Sequence, residues 1–292
     1  MPKPISALAA YETGQHAWWE TAISDIQVNH LAFRGHPIEA LIGQVTYAQM
    51  AVFMATGRML SANESQLLEA VLVAGCDHGP RAPSIAAARM AATCGITFNS
   101  AVATGVNLLG HYHGGAGEDA MRLFYAWHEK SLGDSTFDLR ADIQAKLRRG
   151  ELLPGFGHQL HTHDPRVAKL LDLAHSAAAD GTIKGTFIEI EQLVVQVFSE
   201  EKGHAVTANI DGISAAIQCE LGLPAEIAQG LFILSRSIGL VAHTFEQIQE
   251  GVRVKGPCPP GDSLVRYVGP SGVDDSGEPS PAPPISERPD HQ

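Results

Sequence analysis

Apolar residues recur at three- and four-residue steps along most of this chain, and the strict alternation that marks a half-buried strand is scarce. The pattern predicts an all-α fold. Its clearest segment is 224–247: Pro224 suits a first helical turn, and Ile227, Leu231, Leu234, Ile238, Val241 and Phe245 form one apolar stripe. Arg236 lies opposite that stripe, on a face that also carries Phe232, Ile233 and Leu240. Such a helix is expected to be buried nearly all round, and an arginine inside it needs an anionic partner, a structural carboxylate or a ligand. The same periodicity predicts helices over 39–55, 64–74, 85–92, 117–130, 165–178 and 186–198. From Gly256 onward Pro, Gly, Ser and Asp dominate. That composition buries too little apolar area to offset chain entropy, so 1–262 is read as the catalytic region and 263–292 as a disordered tail.

Composition narrows the function. With 292 residues, 45% of them hydrophobic, the chain can bury one large domain or two that share an interface. A net charge of −12 with only 20 Lys plus Arg argues against a nucleic-acid or anionic-membrane surface, because both require clustered positive charge. Any anionic ligand must therefore be held by a few placed cations. Cys76, Cys94, Cys219 and Cys258 form no C-x-x-C pair, so neither a zinc knuckle nor a disulfide framework is indicated and a reducing cytoplasm is the expected location. No export signal is read in the first residues, and no later run is read as a bilayer span of about 18 apolar residues.

Four segments break the helical pattern with glycine beside ionisable groups: "GCDHGPRAPS" with His78, "HYHGGAGEDA" with His113, "LPGFGHQLHTHDPR" with His158 and Arg166, and "ANIDGIS" with Asp211. Glycine lets backbone or ligand approach and leaves the neighbouring side chain open at the end of an element. Each segment also has a plainer reading. A histidine beside glycine is commonly a satisfied loop residue, Asp211 fits an N-cap for a helix starting near Ile213, and "HDPR" fits a turn with proline opening a helix. The pairs His111/His113 and His161/His163 raise a metal-dependent hydrolase as a rival. They lack the helical His and carboxylate spacing of zinc hydrolases, and no cysteine lies near in sequence, so no metal site is assigned. A phosphate-cradling G-x-x-x-x-G-K-[ST] loop, a strand-led G-x-G-x-x-G and a G-x-S-x-G elbow are all absent.

Taken in order, these segments resemble the citrate synthase superfamily. "FRGHPIEALIGQVTYAQMAVFMATGRML" is similar to that family's "RGYPIEDL" stretch and the helix after it, and "CDHGP" to its Asp-His segment. "HYHGGAGEDAM" resembles "PLHGGANEAVM", "GFGHQLHTHDPR" resembles "GFGHRVY…DPR", "NID" resembles "NVD", and "SRSIGLVAH" resembles "SRALGVLAQ". The resemblance runs from about Phe33 to about Lys255. It implies a large helical domain with a smaller helical lid, taken as 114–222, and an active site in the cleft between them. It further implies that His113 and Asp211 act at the methyl carbon and thioester oxygen of an acyl-CoA and that His158 serves the oxaloacetate carbonyl. His78, Arg166 and Arg236 would hold carboxylates, the two arginines bidentately, and Gly114 and Gly115 would make room for substrate beside His113. Arg253 or Lys255 would be the cation lent to a partner subunit. These types suit carbon–carbon chemistry through an enolate, which needs a base at the methyl carbon and donors at both oxygens.

Within the superfamily "DHGP" and "NIDG" resemble the citryl-CoA lyases and the C-terminal module of ATP-citrate lyase, and the catalytic segments begin soon after Met1, as in a short lyase. His113 points the other way, since animal ATP-citrate lyase has "RFGGA" where synthases keep histidine. The expected activity is citryl-CoA lyase, with a citrate or 2-methylcitrate synthase as the rival and a non-catalytic acyl-CoA or organic-acid binder as a third reading. Expected partners are a coenzyme A thioester, oxaloacetate or citrate-type ligands and a second copy of the chain, with no permanently bound cofactor.

Overall fold

The computed structural model describes residues 18–157, 164–259, 264–266 and 268. A small antiparallel sheet opens it, in the order β1 (Ser24–Gln27), β2 (His30–Phe33), β3 (His36–Pro37). Both hairpin loops have two residues, and Asn29, Arg34 and Gly35 take the positive φ that such tight turns demand. The Arg34 guanidinium donates to the Met54 carbonyl at 2.9 and 2.7 Å, pinning the sheet to the end of a helix. The all-helical expectation thus gains three strands too short for their alternation to register.

The remaining described elements are helices joined by loops: α1 (Ile38–Leu41), α2 (Tyr47–Thr56), α3 (Ala62–Gly75), α4 (Pro83–Thr93), α5 (Phe98–Val106), α6 (Ala116–Gly133), α7 (Leu139–Arg148), α8 (Pro165–Ala179), α9 (Thr186–Lys202), α10 (Ile210–Glu220), a 3₁₀ turn (Ala225–Ile227) and α11 (Ala228–Glu250). The helix expected over 39–55 is split. Thr46 and Gln49 form a capping box that starts α2 afresh, and Ser61 with Glu64 does the same for α3. Asn209, rather than Asp211, caps α10, its side chain accepting from the amides of Asp211 and Gly212. The Glu220 carboxylate at the far end of α10 accepts the amides of Lys184, Gly185, Phe187 and Ile188, so one helix end caps the start of α9.

Two apolar clusters hold these helices. The larger runs through α3, α6, α8, α9 and α10, with Trp127, Phe124, Met121, Ile213 and Ile217 at its centre. The smaller joins Ala82, Ile85 and Ala88 to Leu240. Helix α11 belongs to both, through Ala228 and Leu231 at one end and Leu240 at the other. The segment Ala225–Glu250 has the length and hydropathy to cross a bilayer, a property the sequence reading passed over. Here it packs on α3, α4, α5 and α6 and buries Arg236.

Burial of α11 meets expectation at Arg236 and departs from it along much of the apolar stripe. Arg236 is 3% exposed, with Ser235, Gly239, Leu240, Thr244 and Gln247 buried beside it, whereas Leu234, Ile238, Val241 and Phe245 of the apolar stripe are 37–59% exposed. The cause is close packing. A Cβ at Gly239 would stand 2.4 Å from the Cys76 carbonyl and 3.0 Å from Asp77 Oδ1, so only the Arg236/Gly239 face can approach the segment after α3.

Candidate active site

A cleft of about 600 Å³ opens where helix starts converge. Its lining includes Pro83 of α4, Ala116 of α6, Arg166 of α8 and Asp211 of α10, each in the first turn of its helix. Four helix N-termini direct their partial positive charge at one space, while Asn209, Asp164 and His113 already accept several of their first amides. An acidic chain thereby makes a locally anion-attracting pocket.

The cleft brings together His78, His113, Arg166, Asp211 and Arg236 of the sequence-derived set. His158 lies outside the described residues, as do His161 and His163; Gly157, immediately before, lines the cleft. Arg253 and Lys255 do not line it. Lys255 is tied through its amide to Thr93 Oγ1, at the end of α4. The two histidines of the 111/113 pair diverge: His111 lies 3.6 Å from Asp119 and packs edge-on against Tyr112. Among the described residues no group of three His, Cys, Asp or Glu side chains is placed to hold a metal ion.

His113 is fixed by α4. Its Nε2 lies 2.9 Å from Ser84 Oγ and 3.4 Å from the Ser84 amide. A backbone amide only donates, so Nε2 carries the lone pair, the Ser84 hydroxyl donates to it as well, and the ring proton sits on Nδ1. Burial first, and then the charge of Arg236, hold the imidazole pKa below its usual value, favouring this neutral form. The glycines that follow permit close packing, and Gly114 also lines the cleft. A Cβ on Gly114 would sit 2.8 Å from the Phe232 ring, and one on Gly115 would sit 2.6 Å from the His111 carbonyl.

Asp211 is placed by a backbone crossing. Gly155 and Gly212 touch so closely that a Cβ on Gly212 would lie 2.4 Å from the Gly155 carbonyl, and the Asn209 amide donates to that carbonyl at 2.9 Å. Burial pushes the Asp211 pKa up, while Arg236 and then Arg166 pull it back. A carboxyl so placed can hold a proton that an exposed aspartate would lose.

The two arginines are held differently. Arg166 places Nε and Nη2 on Asp164 at 2.9 and 2.6 Å, and Asp164 is fully buried and caps the same helix. One edge of its guanidinium is therefore already engaged on Asp164, and the Nη1/Nη2 end remains for an anion. Arg236 uses only Nε, on the Gly75 carbonyl at 3.1 Å, and lies 4.9 Å from the centre of the Phe232 ring. It has no ion pair within 4 Å among the described residues, and both Nη atoms remain for a planar anion. Sequence reasoning missed Ser84, Asp164 and Asn209, and also Arg81, an exposed cation on the cleft lining. All four lie within or beside the quoted motifs, but their roles depend on partners that the motif strings do not name.

The family model "Citrate synthase, C-terminal domain" matches residues 54–257. A citrate synthase from Haloferax volcanii is 27% identical over 231 residues, 79% of this chain and 57% of its own length. The chain thus spans little more than half of the curated relatives it matches first. The solved citryl-CoA lyase of Hydrogenobacter thermophilus superposes with a TM-score of 0.77 at 30% identity, covering 88% of this chain and 96% of that one. Citrate synthase from Thermoplasma acidophilum, solved with carboxymethyl coenzyme A and oxaloacetate, gives 0.64 at 25% identity over 83% and 60%. The matched segment carries every described cleft residue from His78 to Arg236, and the chain belongs to the citrate synthase family.

Proposed function

We propose that this protein is a citryl-CoA lyase that cleaves citryl-CoA into acetyl-CoA and oxaloacetate. The observation that carries this reading is the overlap with the Hydrogenobacter thermophilus lyase over 96% of that chain's length. The described cleft residues, together with His158 by its motif resemblance, fit that chemistry. His158 takes the proton of the tertiary hydroxyl, the carbon–carbon electron pair moves into the thioester as an enolate, and oxaloacetate forms. The Nδ1–H of His113 donates to the enolate oxygen, and Asp211 delivers its proton to carbon, giving acetyl-CoA. The raised pKa of Asp211 favours this acid role. Arg236 holds one substrate carboxylate through its two Nη atoms, and Arg166 contributes its remaining Nη1 edge, with His78 beside them. The thioester is substrate, and no resident cofactor is required.

A citrate or 2-methylcitrate synthase is the second reading, favoured by curated relatives of those names and by His113. Purified protein given citryl-CoA is expected to release oxaloacetate and acetyl-CoA in equal amounts, followed by coupled reduction of the oxaloacetate. Given acetyl-CoA and oxaloacetate, it is expected to liberate little free thiol. Rapid, stoichiometric thiol release at micromolar enzyme assigns the protein as a synthase instead.

Ser84→Ala removes one of the two donors that orient His113. The expected loss is about tenfold in kcat, the size of one neutral hydrogen bond, with KM nearly unchanged in steady-state assays.

The exposed stripe of α11 supports a homodimer, since Leu234, Ile238, Val241, Phe245 and Ile248 lie at helical spacing on one uncovered face. Arg253 or Lys255 would then serve the neighbouring cleft. Light scattering is expected to give twice the chain mass, and Phe245→Glu to give the monomer.

A further inference from the structure

Beneath the cleft, α11 grips the segment 75–79 at three points that together span two helical turns. Arg236 Nε holds the Gly75 carbonyl, Gly239 admits the Cys76 carbonyl and the Asp77 side chain, and His243 Nε2 lies 3.1 Å from Asp77 Oδ2. That same Oδ2 accepts the Gly79 amide at 3.1 Å, and the Asp77 carboxylate also receives the amide of His78. The side chain of His78 stands in the cleft lining, so the backbone that carries it is fastened through Asp77.

The other face of His243 sets its tautomer. Arg89 Nη1 lies 3.0 Å from His243 Nδ1, and a guanidinium has no lone pair to offer, so Nδ1 must accept. The ring proton is thereby placed on Nε2, where it donates to Asp77. Arg89 is itself held by Gln247, Glu246 and Glu250, all on the last turns of α11. Glu246 also lies 3.7 Å from His243 Nδ1, which balances the guanidinium charge beside the ring. His243 is mostly enclosed and makes no contribution to the cleft lining.

We infer that His243 is a positioning residue: in its Nε2–H form, fixed by Arg89, it holds Asp77 and thereby orients His78 toward the bound dicarboxylate. The inference rests on the functional reading above only for the identity of that ligand. Glutamine can reproduce the donor to Asp77 and the acceptor for Arg89, whereas alanine reproduces neither.

The experiment compares His243→Ala, His243→Gln, Asp77→Asn and the double variant His243→Ala/Asp77→Asn with the native protein. In ligand-free protein, ring-nitrogen NMR is expected to place the His243 proton on Nε2. His243→Ala is expected to move the His78 ring signals, and His243→Gln to leave them in place. With oxaloacetate and citrate as probes in calorimetry, His243→Ala is expected to weaken binding about tenfold. His243→Gln should recover it to within about threefold, and the double variant should lose no more than the weaker-binding single variant. In turnover assays the loss should fall on KM, with kcat changed less than about twofold.

The inference is overturned by a proton on Nδ1, by His78 signals that ignore His243→Ala, or by equal losses in the alanine and glutamine variants accompanied by equal drops in unfolding temperature. Native protein that neither binds oxaloacetate or citrate nor turns over citryl-CoA overturns the functional reading instead. The ligand-free NMR result then decides the role of His243 by itself.

Discussion

Replacing Asp211 by asparagine is expected to lower kcat by about 10²–10⁴-fold while leaving the unfolding temperature unchanged or raised. Asparagine keeps the shape of the side chain but has no acidic proton to return to carbon, so the enolate is formed and not quenched. The absent stability cost follows from the electrostatics. Burial raises the folded-state pKa of Asp211, so its ionised form is disfavoured by folding, and a neutral amide removes that penalty. The direction of the shift also separates the two activities. As the donor in cleavage Asp211 must be protonated, so the cleavage rate falls as pH rises through its pKa. As the base in condensation it must be ionised, so that rate rises over the same interval. Steady-state pH profiles of Asp211→Asn and native protein test both points. A variant that keeps cleavage within about threefold of native removes Asp211 from the proton-transfer step.

Glu191→Gln is expected to stabilise the protein at neutral pH without touching the cleft. Glu191 is 1% exposed in α9, neither carboxyl oxygen has a hydrogen-bond partner among the described residues, and burial pushes its pKa from 4.5 to about 7. A folded-state pKa above the unfolded one means that the folded chain keeps a proton the unfolded chain loses. Stability therefore falls as pH rises from about 4.5 to about 7, and the full penalty is in force above that range. A shift of this size corresponds to roughly 3 kcal/mol. In denaturant unfolding, the glutamine variant is expected to gain on the native protein between pH 5 and pH 8, reduced somewhat by its own unpaired amide hydrogens. Native and variant curves that stay parallel across this range count against a buried neutral carboxyl.

Some elements were legible because their signals are local. Proline at the start of α8 and the apolar periodicity of α4, α6, α9 and α11 placed those helices from sequence to within a few residues. Helices α5 and α7 were not predicted. Helix α5, "FNSAVATGV", is short and mixes glycine with β-branched residues, and α7, "LRADIQAKLR", carries only a narrow stripe of Leu139, Ile143 and Leu147 among polar residues, of which Ile143 alone is buried. The sheet was missed because four-residue strands carry too few alternations to count. The site motifs were legible as strings, since glycine and proline beside His, Asp and Arg survive as short patterns; His158 was named on that basis and lies outside the described residues.

By itself the sequence determined most of the longer helices and several of the residue types that reach the cleft, because capping, periodicity and backbone freedom act over a few neighbouring residues. Only the tertiary structure decided what those residues do there. It placed Ser84 against His113 across 29 positions, engaged one edge of the Arg166 guanidinium on Asp164, and turned Arg236 inward while its apolar opposite face stayed uncovered. Tautomer, pKa direction and burial arise from atoms brought close by packing, so elements distant in the chain set them together, and no local pattern records the outcome.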